Sequence, residues 1–153
     1  MQRITPFLWF NTEAEAAARF YVSVFKNSKI LSISRYGEAG PGPAGSVMTL
    51  EFELDGEKFV ALNGGPRYTF SHAVSFVVNC ETQEEVDHYW TRLTEGGKEI
   101  QCGWLTDKYG LSWQIVPTML LELLKSGDPE KRNRVTQAML KMVKLDIETL
   151  ERA

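Results

Sequence analysis

Cysteine and histidine are scarce in this chain: Cys80, Cys102, His72 and His88 are the only ones among 153 residues. Two thiols with no CxxC spacing cannot build a disulfide framework, and they suit a reducing cytosol. No apolar run approaches the length of about 20 residues that a bilayer span requires. The run after Met1-Gln2-Arg3 is interrupted by Pro6 and Asn11, so it reads neither as a signal-peptide core nor as a membrane anchor. A cytoplasmic protein with no membrane partner is expected. Strong charge is missing too. The formal net charge is -3, from interspersed acidic and basic residues, which provides no broad positive field for a nucleic-acid backbone. The partners that remain are a small molecule and another protein chain.

A chain of 153 residues has the size of one domain and buries about two thirds of its unfolded surface on folding. Ile4 to Phe10 reads as a buried strand. Thr12-x-x-Glu15 has the spacing of a capping box, and Ala16, Ala17, Phe20, Tyr21 and Val24 follow at helical spacing. Lys29 to Tyr36 returns to strand character. Gly37 to Gly45, rich in Gly and Pro, predicts a mobile loop and a candidate lid. Val47 to Leu54 alternates apolar and polar residues, Asp55-Gly56 is a hairpin signal, and Glu57 to Asn63 completes a meander.

After Gly64-Gly65-Pro66 the pattern starts again. His72 to Cys80 reads as a strand, and Thr82-x-x-Glu85 repeats the capping box at an offset of 70, with Trp90 matching Phe20 at the same offset. Strands over Glu99 to Asp107 and Leu111 to Val116 follow, joined by a turn at Lys108-Tyr109-Gly110. A repeated supersecondary unit is strong evidence for architecture. The expected fold is α+β: two βαβββ modules forming a curved-sheet cup, plus a C-terminal helical tail. As a single domain spanning 1-153, it divides into module 1 at about 1-66, module 2 at about 67-117 and the tail at 118-153. In the tail Pro129 suits a helix start, and Val135, Met139, Met142 and Val143 form an apolar stripe. The nearby Lys131, Arg132, Arg134, Lys141 and Lys144 read as the solvated side of a packed helix.

Four segments resemble a known family. They are Ile4 to Phe10, Ala61-Leu62-Asn63-Gly64-Gly65-Pro66, Cys102 to Asp107, and Tyr109-Gly110-Leu111-Ser112-Trp113-Gln114-Ile115-Val116-Pro117, and the tail from Met139 to Ile147 extends the likeness. They are similar to the PhnB-like branch of the vicinal-oxygen-chelate, or glyoxalase/bleomycin-resistance, superfamily. That branch is often labelled 3-demethylubiquinone-9 3-methyltransferase. The resemblance implies paired modules forming a cup, and commonly a homodimer. The label implies a methyltransferase, but no strand–Gly-rich loop–helix start of the S-adenosylmethionine kind is present: Gly37 to Gly45 joins strands and Gly64-Gly65 joins modules.

Metal-dependent relatives carry one ligand on each of four strands, and the resemblance puts Thr5, Ala61, Ala73 and Gln114 at those positions. Alanine has no donor atom, so no metal site and no cofactor are expected. His72 and Gln114 are the two candidates for a divalent metal, His72 only through a one-residue slip of its strand. His88 is expected on the surface. With ligand-position parity marking the concave face, Thr5, Phe7 and Trp9 line the groove with Thr49, Glu51, Phe59, Ala61 and Asn63. From module 2 come Ala73, Ser75, Val77, Ser112, Gln114 and Val116, with Cys102 and Trp104 nearby. The expected ligand-binding residues are Trp9, Thr49, Asn63, Ser75, Cys102, Trp104 and Gln114, and Glu51 is the candidate catalytic base. The expected function is metal-free binding of a small aromatic or amphipathic molecule. The alternative is a divalent-metal-dependent lyase, isomerase or dioxygenase of the same superfamily.

Overall fold

The computed structural model describes residues 2–153. The chain forms two compact units, Met1–Phe70 and Ser71–Ala153. In the first, β1 (Phe7–Phe10), α1 (Ala14–Val24), β2 (Lys29–Arg35), β3 (Val47–Leu54) and β4 (Glu57–Asn63) follow one another. The sheet order is β1-β4-β3-β2, with β1 parallel to β4 and the rest antiparallel. The second unit repeats the pattern with β5 (Ser75–Cys80), α2 (Gln83–Thr94), β6 (Lys98–Glu99), β7 (Trp104–Thr106) and β8 (Ser112–Pro117), in the order β5-β8-β7-β6. The tail adds α3 (Thr118–Leu124), α4 (Pro129–Leu140) and α5 (Ile147–Arg152). The α+β class and the doubled βαβββ plan are therefore both present.

Several boundaries differ from the sequence expectation. Ile4, Thr5 and Pro6 precede β1, and Ile4 is 83% exposed. His72, Ala73 and Val74 likewise precede β5, and Val74 is exposed rather than core. Ala16 is exposed, and α1 buries Ala14, Ala17, Ala18, Tyr21 and Val24. The Asp55-Gly56 turn is as expected: both residues have positive φ, 49° and 84°, which gives the twist that a two-residue hairpin needs.

The first capping box does not form. Glu13, not Thr12, is the N-cap of α1 and makes no side-chain cap bond. The Ala14 N–H donates instead to Asn63 Oδ1, 2.8 Å away on β4. The second box is half realised. Thr82 accepts from the Glu85 N–H at 3.2 Å, while the Glu85 carboxylate accepts from Glu81 N–H. The two helix starts are thus 69 residues apart (82 minus 13). At that spacing the buried residues coincide: Ala17 with Val86, Tyr21 with Trp90, and Val24 with Leu93. The buried face, not the cap motif, carries the repeat, because apolar burial contributes about 1.5–3 kcal/mol per large side chain and a cap about 1.

Each helix covers one face of its own sheet. Tyr21 of α1 stacks on Phe52 at 6.5 Å, and register places Leu8, Leu50, Phe59 and Ala61 on that same face. The tail packs on the second unit through Val116, Leu120, Val135, Leu145 and Leu150, all buried. Pro129 opens α4 behind Asp128, whose side chain accepts from the Glu130 N–H.

Candidate functional site

Strand pairing decides which candidates share a face, since paired residues lie on the same side of a sheet. In the first unit Phe7 pairs with Val60, Trp9 and Thr49 both pair with Leu62, and Glu51 pairs with Val60. These residues occupy the face opposite α1. Ala61 pairs with Leu8 and Leu50, and Phe59 with Phe52. Phe59, Ala61 and Asn63 therefore lie on the helix side, a correction of the β4 parity expected from sequence. Asn63 is also spoken for: its Oδ1 accepts from Ala14 and its Nδ2 donates to Val47 O at 3.1 Å. It ties β3, β4 and α1 together.

Trp9 donates from Nε1 to Gly65 O at 2.9 Å and meets Tyr68 edge-on at 5.0 Å. A Cβ on Gly64 would sit 2.4 Å from that indole, which explains the absence of a side chain there. The Glu51 carboxylate accepts from Ser32 Oγ at 3.3 Å and lies 3.6 Å from Lys58 Nζ, with 44% of its side chain exposed.

The loop at 37–45 is tied down at its base. The Tyr36 N–H donates to Ser46 O, the Gly45 N–H to Tyr36 O, and the Tyr36 hydroxyl to Asn63 O. Gly40 and Gly42 lie against the Tyr36 ring, where a Cβ would come within 2.8 and 2.4 Å. With Thr12, Glu15, Pro43 and Gly64 this loop borders a cavity of about 430 Å³.

In the second unit the expected parity is the observed one. Ser75, Val77, Ser112, Gln114 and Val116 share a face, and Trp104, paired with Gln114, joins them. Gln114 Nε2 donates to Ser75 Oγ at 2.9 Å, and nothing among the described residues bonds its carbonyl. His72 Nδ1 lies 3.0 Å from the buried Ser112 hydroxyl. His72 reaches this face from outside the strand, so the slipped register weighed for it does not arise. Val77, Cys102, Trp104 and Gln114 line a cavity of about 260 Å³, and tail residues including Leu121 and Leu145 form other walls. The tail's part in this site was not legible as function, since its apolar stripe read only as packing.

The opposite face is held by a buried carboxylate. Asp107, 3% exposed, accepts from the Tyr109 and Leu111 N–H groups through Oδ1 and from Trp113 Nε1 through Oδ2. It closes the β7–β8 turn and fixes Trp113. Burial, with Glu85 nearby, pushes the Cys80 thiol up to about 12, so Cys80 is an inert core thiol. Hydrogen bonds from Lys144 and Gln83 hold the Asp87 carboxyl below its usual value.

The residues do not fit a metal centre. Thr5 and Ala73 lie outside the strands. Ala61 presents a fully buried methyl group on the helix side, so Gln114 is the only one of the four positions that lies in a strand and carries a donor atom. Among the described residues no three His, Cys, Asp or Glu side chains come together. His88 is exposed, as expected.

With this geometry in view, the sequence profile of the family described as 3-demethylubiquinone-9 3-methyltransferase matches residues 2–116. The chain belongs to that PhnB-like family. Among solved structures, the PhnB protein from Bacillus cereus is 41% identical with a TM-score of 0.70, over 76% of this chain and 99% of that one. A protein from Pseudomonas aeruginosa is 20% identical with a TM-score of 0.63, over 76% and 98%. The fosfomycin resistance protein FosX from Listeria monocytogenes shares the fold at 13% identity and a TM-score of 0.52, over 86% and 98%. The PhnB-like chain therefore has the glyoxalase/bleomycin-resistance fold. No curated protein matches it. As for the family label, among the described residues neither sheet is the doubly wound parallel sheet of an S-adenosylmethionine-dependent methyltransferase. Among the described residues no helix is long and apolar enough to cross a membrane.

Proposed function

We propose that this PhnB-like protein binds a small aromatic or amphipathic molecule without a metal, on the Gln114 face of its second unit. The observation that carries this is the convergence of three sequence candidates, Cys102, Trp104 and Gln114, on one cavity with apolar walls. Ligand pockets commonly combine apolar and aromatic walls with a few placed polar groups. Gln114 supplies such a group: one end of its amide is held by Ser75, which orients the other for a ligand. Ser75 is thereby a positioning residue. In the first unit Trp9 and Thr49 lie on the face away from α1, and Asn63 is a brace on the helix side. The protein works as a homodimer in the cytoplasm on this reading.

The test uses tag-free protein purified without chelator. Plasma mass spectrometry should find zinc, nickel, manganese and iron each well below one equivalent per chain. Thermal-shift screening with a panel of small phenols and indoles should give stabilisation that EDTA leaves unchanged and Gln114→Ala removes. Stoichiometric metal that is lost on Gln114→Ala would overturn the reading in favour of a metal-dependent enzyme. Gel filtration with light scattering checks the dimer.

A further inference from the structure

We propose that the C-terminal helices are part of the binding site, making it a roofed pocket selective for a compact, uncharged apolar molecule with one hydrogen-bonding group. This rests on the reading above and adds the ligand class and the source of the walls. The family profile ends at residue 116, so every wall residue beyond Val116 comes from outside the matched region.

The roof is attached at several independent points. Cys102 and Gly103 both have positive φ, 58° and 85°. Two such residues in succession turn neighbouring N–H groups the same way, and these donate to Met142 O at 2.9 Å and Val143 O at 2.8 Å. A Cβ on Gly103 would lie 2.9 Å from both Ile115 O and Leu145 Cδ1, so glycine lets β8 and the tail both pack closely against this turn. On α2, Gln83 donates to Leu145 O and accepts from the Ile147 N–H. Lys144 pairs with Asp87 at 2.8 Å. The tail is therefore a fixed wall held by the Cys102-Gly103 turn ahead of β7 and by α2.

The lining sets the chemistry. Val116, Leu120 and Leu145 are buried at its base, Leu124 and Met139 add further apolar surface, and Trp104 presents an indole. Among the described residues of the lining, polar groups come from Gln114, Cys102 and the Trp104 indole N–H, and no charged side chain contributes. An ionised ligand would lose hydration with nothing to replace it. Val77 and Leu121, 49% and 42% exposed, mark the mouth. The volume of about 260 Å³ lies below the ~300–1,000 Å³ of pockets for drug-sized ligands, while an apolar cavity of about 150 Å³ suffices for benzene. One ring with a short substituent is the expected occupant.

The experiment titrates the full ¹⁵N-labelled chain with p-cresol and, separately, with benzoate. p-Cresol should shift the Trp104 indole N–H and the Gln114 side-chain amide saturably, with benzoate at least tenfold weaker. Leu121→Trp and Val77→Trp each add bulk at an exposed lining position, one from α3 and one from β5, and each should weaken p-cresol at least tenfold while the melting temperature holds. Saturable shifts elsewhere, at the Trp9 indole for example, that survive both variants would overturn the roofed pocket and leave small-molecule binding standing. Equal affinity for benzoate at Trp104 would overturn the ligand class alone. An absence of saturable binding by either probe would overturn this proposal, and an empty phenol and indole panel would in addition remove the reading beneath it.

Discussion

The two βαβββ units share a strand order and a buried helix face at an offset of 69, yet they finish the same plan differently. The first starts its helix with help from a distant strand, Asn63 reaching across to the Ala14 N–H. The second uses the adjacent Thr82. On the face away from its helix, the first unit carries Trp9, Thr49 and Glu51. The second places Gln114 and Trp104 there and brings its own tail against them. The lesson is that a duplicated scaffold constrains the helix-facing side, where burial stabilises most, and leaves caps and opposite faces to diverge.

The sharpest way to break that comparison is to treat the tail as ordinary core. Leu145→Ala should destabilise as much as Leu50→Ala, about 2–5 kcal/mol each, because both residues are essentially fully buried and each truncation leaves a cavity. Denaturant unfolding of the two variants measures it. A loss below about 1 kcal/mol for Leu145→Ala would mean a tail only loosely attached.

A smaller effect compares the two caps. Asn63→Ala removes two hydrogen bonds, to Ala14 and Val47, and should cost about 2 kcal/mol. Thr82→Ala removes one exposed cap bond and should cost about 1. Equal losses would show that the cross-strand brace adds nothing over a local cap.

Ionisation gives the finest test, and it concerns the second unit alone. Cys80 is raised to about 12 from 9.0, so its proton is held more tightly in the folded state. That contribution is fully present below pH 9 and is lost as pH rises toward 12. Cys80→Ala should flatten the fall in stability across this window, followed by urea midpoints. Asp87 is lowered, so its contribution is present above its ordinary value of 3.8 and is lost as pH falls through its folded value. Being partly solvent-exposed and screened, the Asp87–Lys144 pair should contribute under about 1 kcal/mol. Asp87→Asn tests it at low and high salt.

Legibility followed the range of the forces involved. β3 and β4 run over the expected residues, Val47–Leu54 and Glu57–Asn63, since short-range polar and apolar patterning and an Asp-Gly turn are local properties. The starts of β1 and β5 were overextended because Ile4 and Val74 look like core residues, yet strand pairing begins only at Phe7 and Ser75. The candidate site divided along the same line. Ser75 and Val77 shared one face, as did Ser112 and Gln114, because parity within a strand is local. Asn63 was put on the wrong face because parity between strands depends on register, and only the pairing of β4 with β1 and β3 sets that. Asp107 sat inside a quoted motif without a role, since its three donors converge only after the turn folds.

Sequence by itself determined the doubled βαβββ plan, the sparse supply of metal donors and the apolar stripes, because periodicity and residue type need no partner to be read. Tertiary structure alone decided that Asn63 caps α1 and that the tail lies against Gln114. Both depend on contacts between segments tens of residues apart, and sequence spacing does not encode which distant segment will be the neighbour.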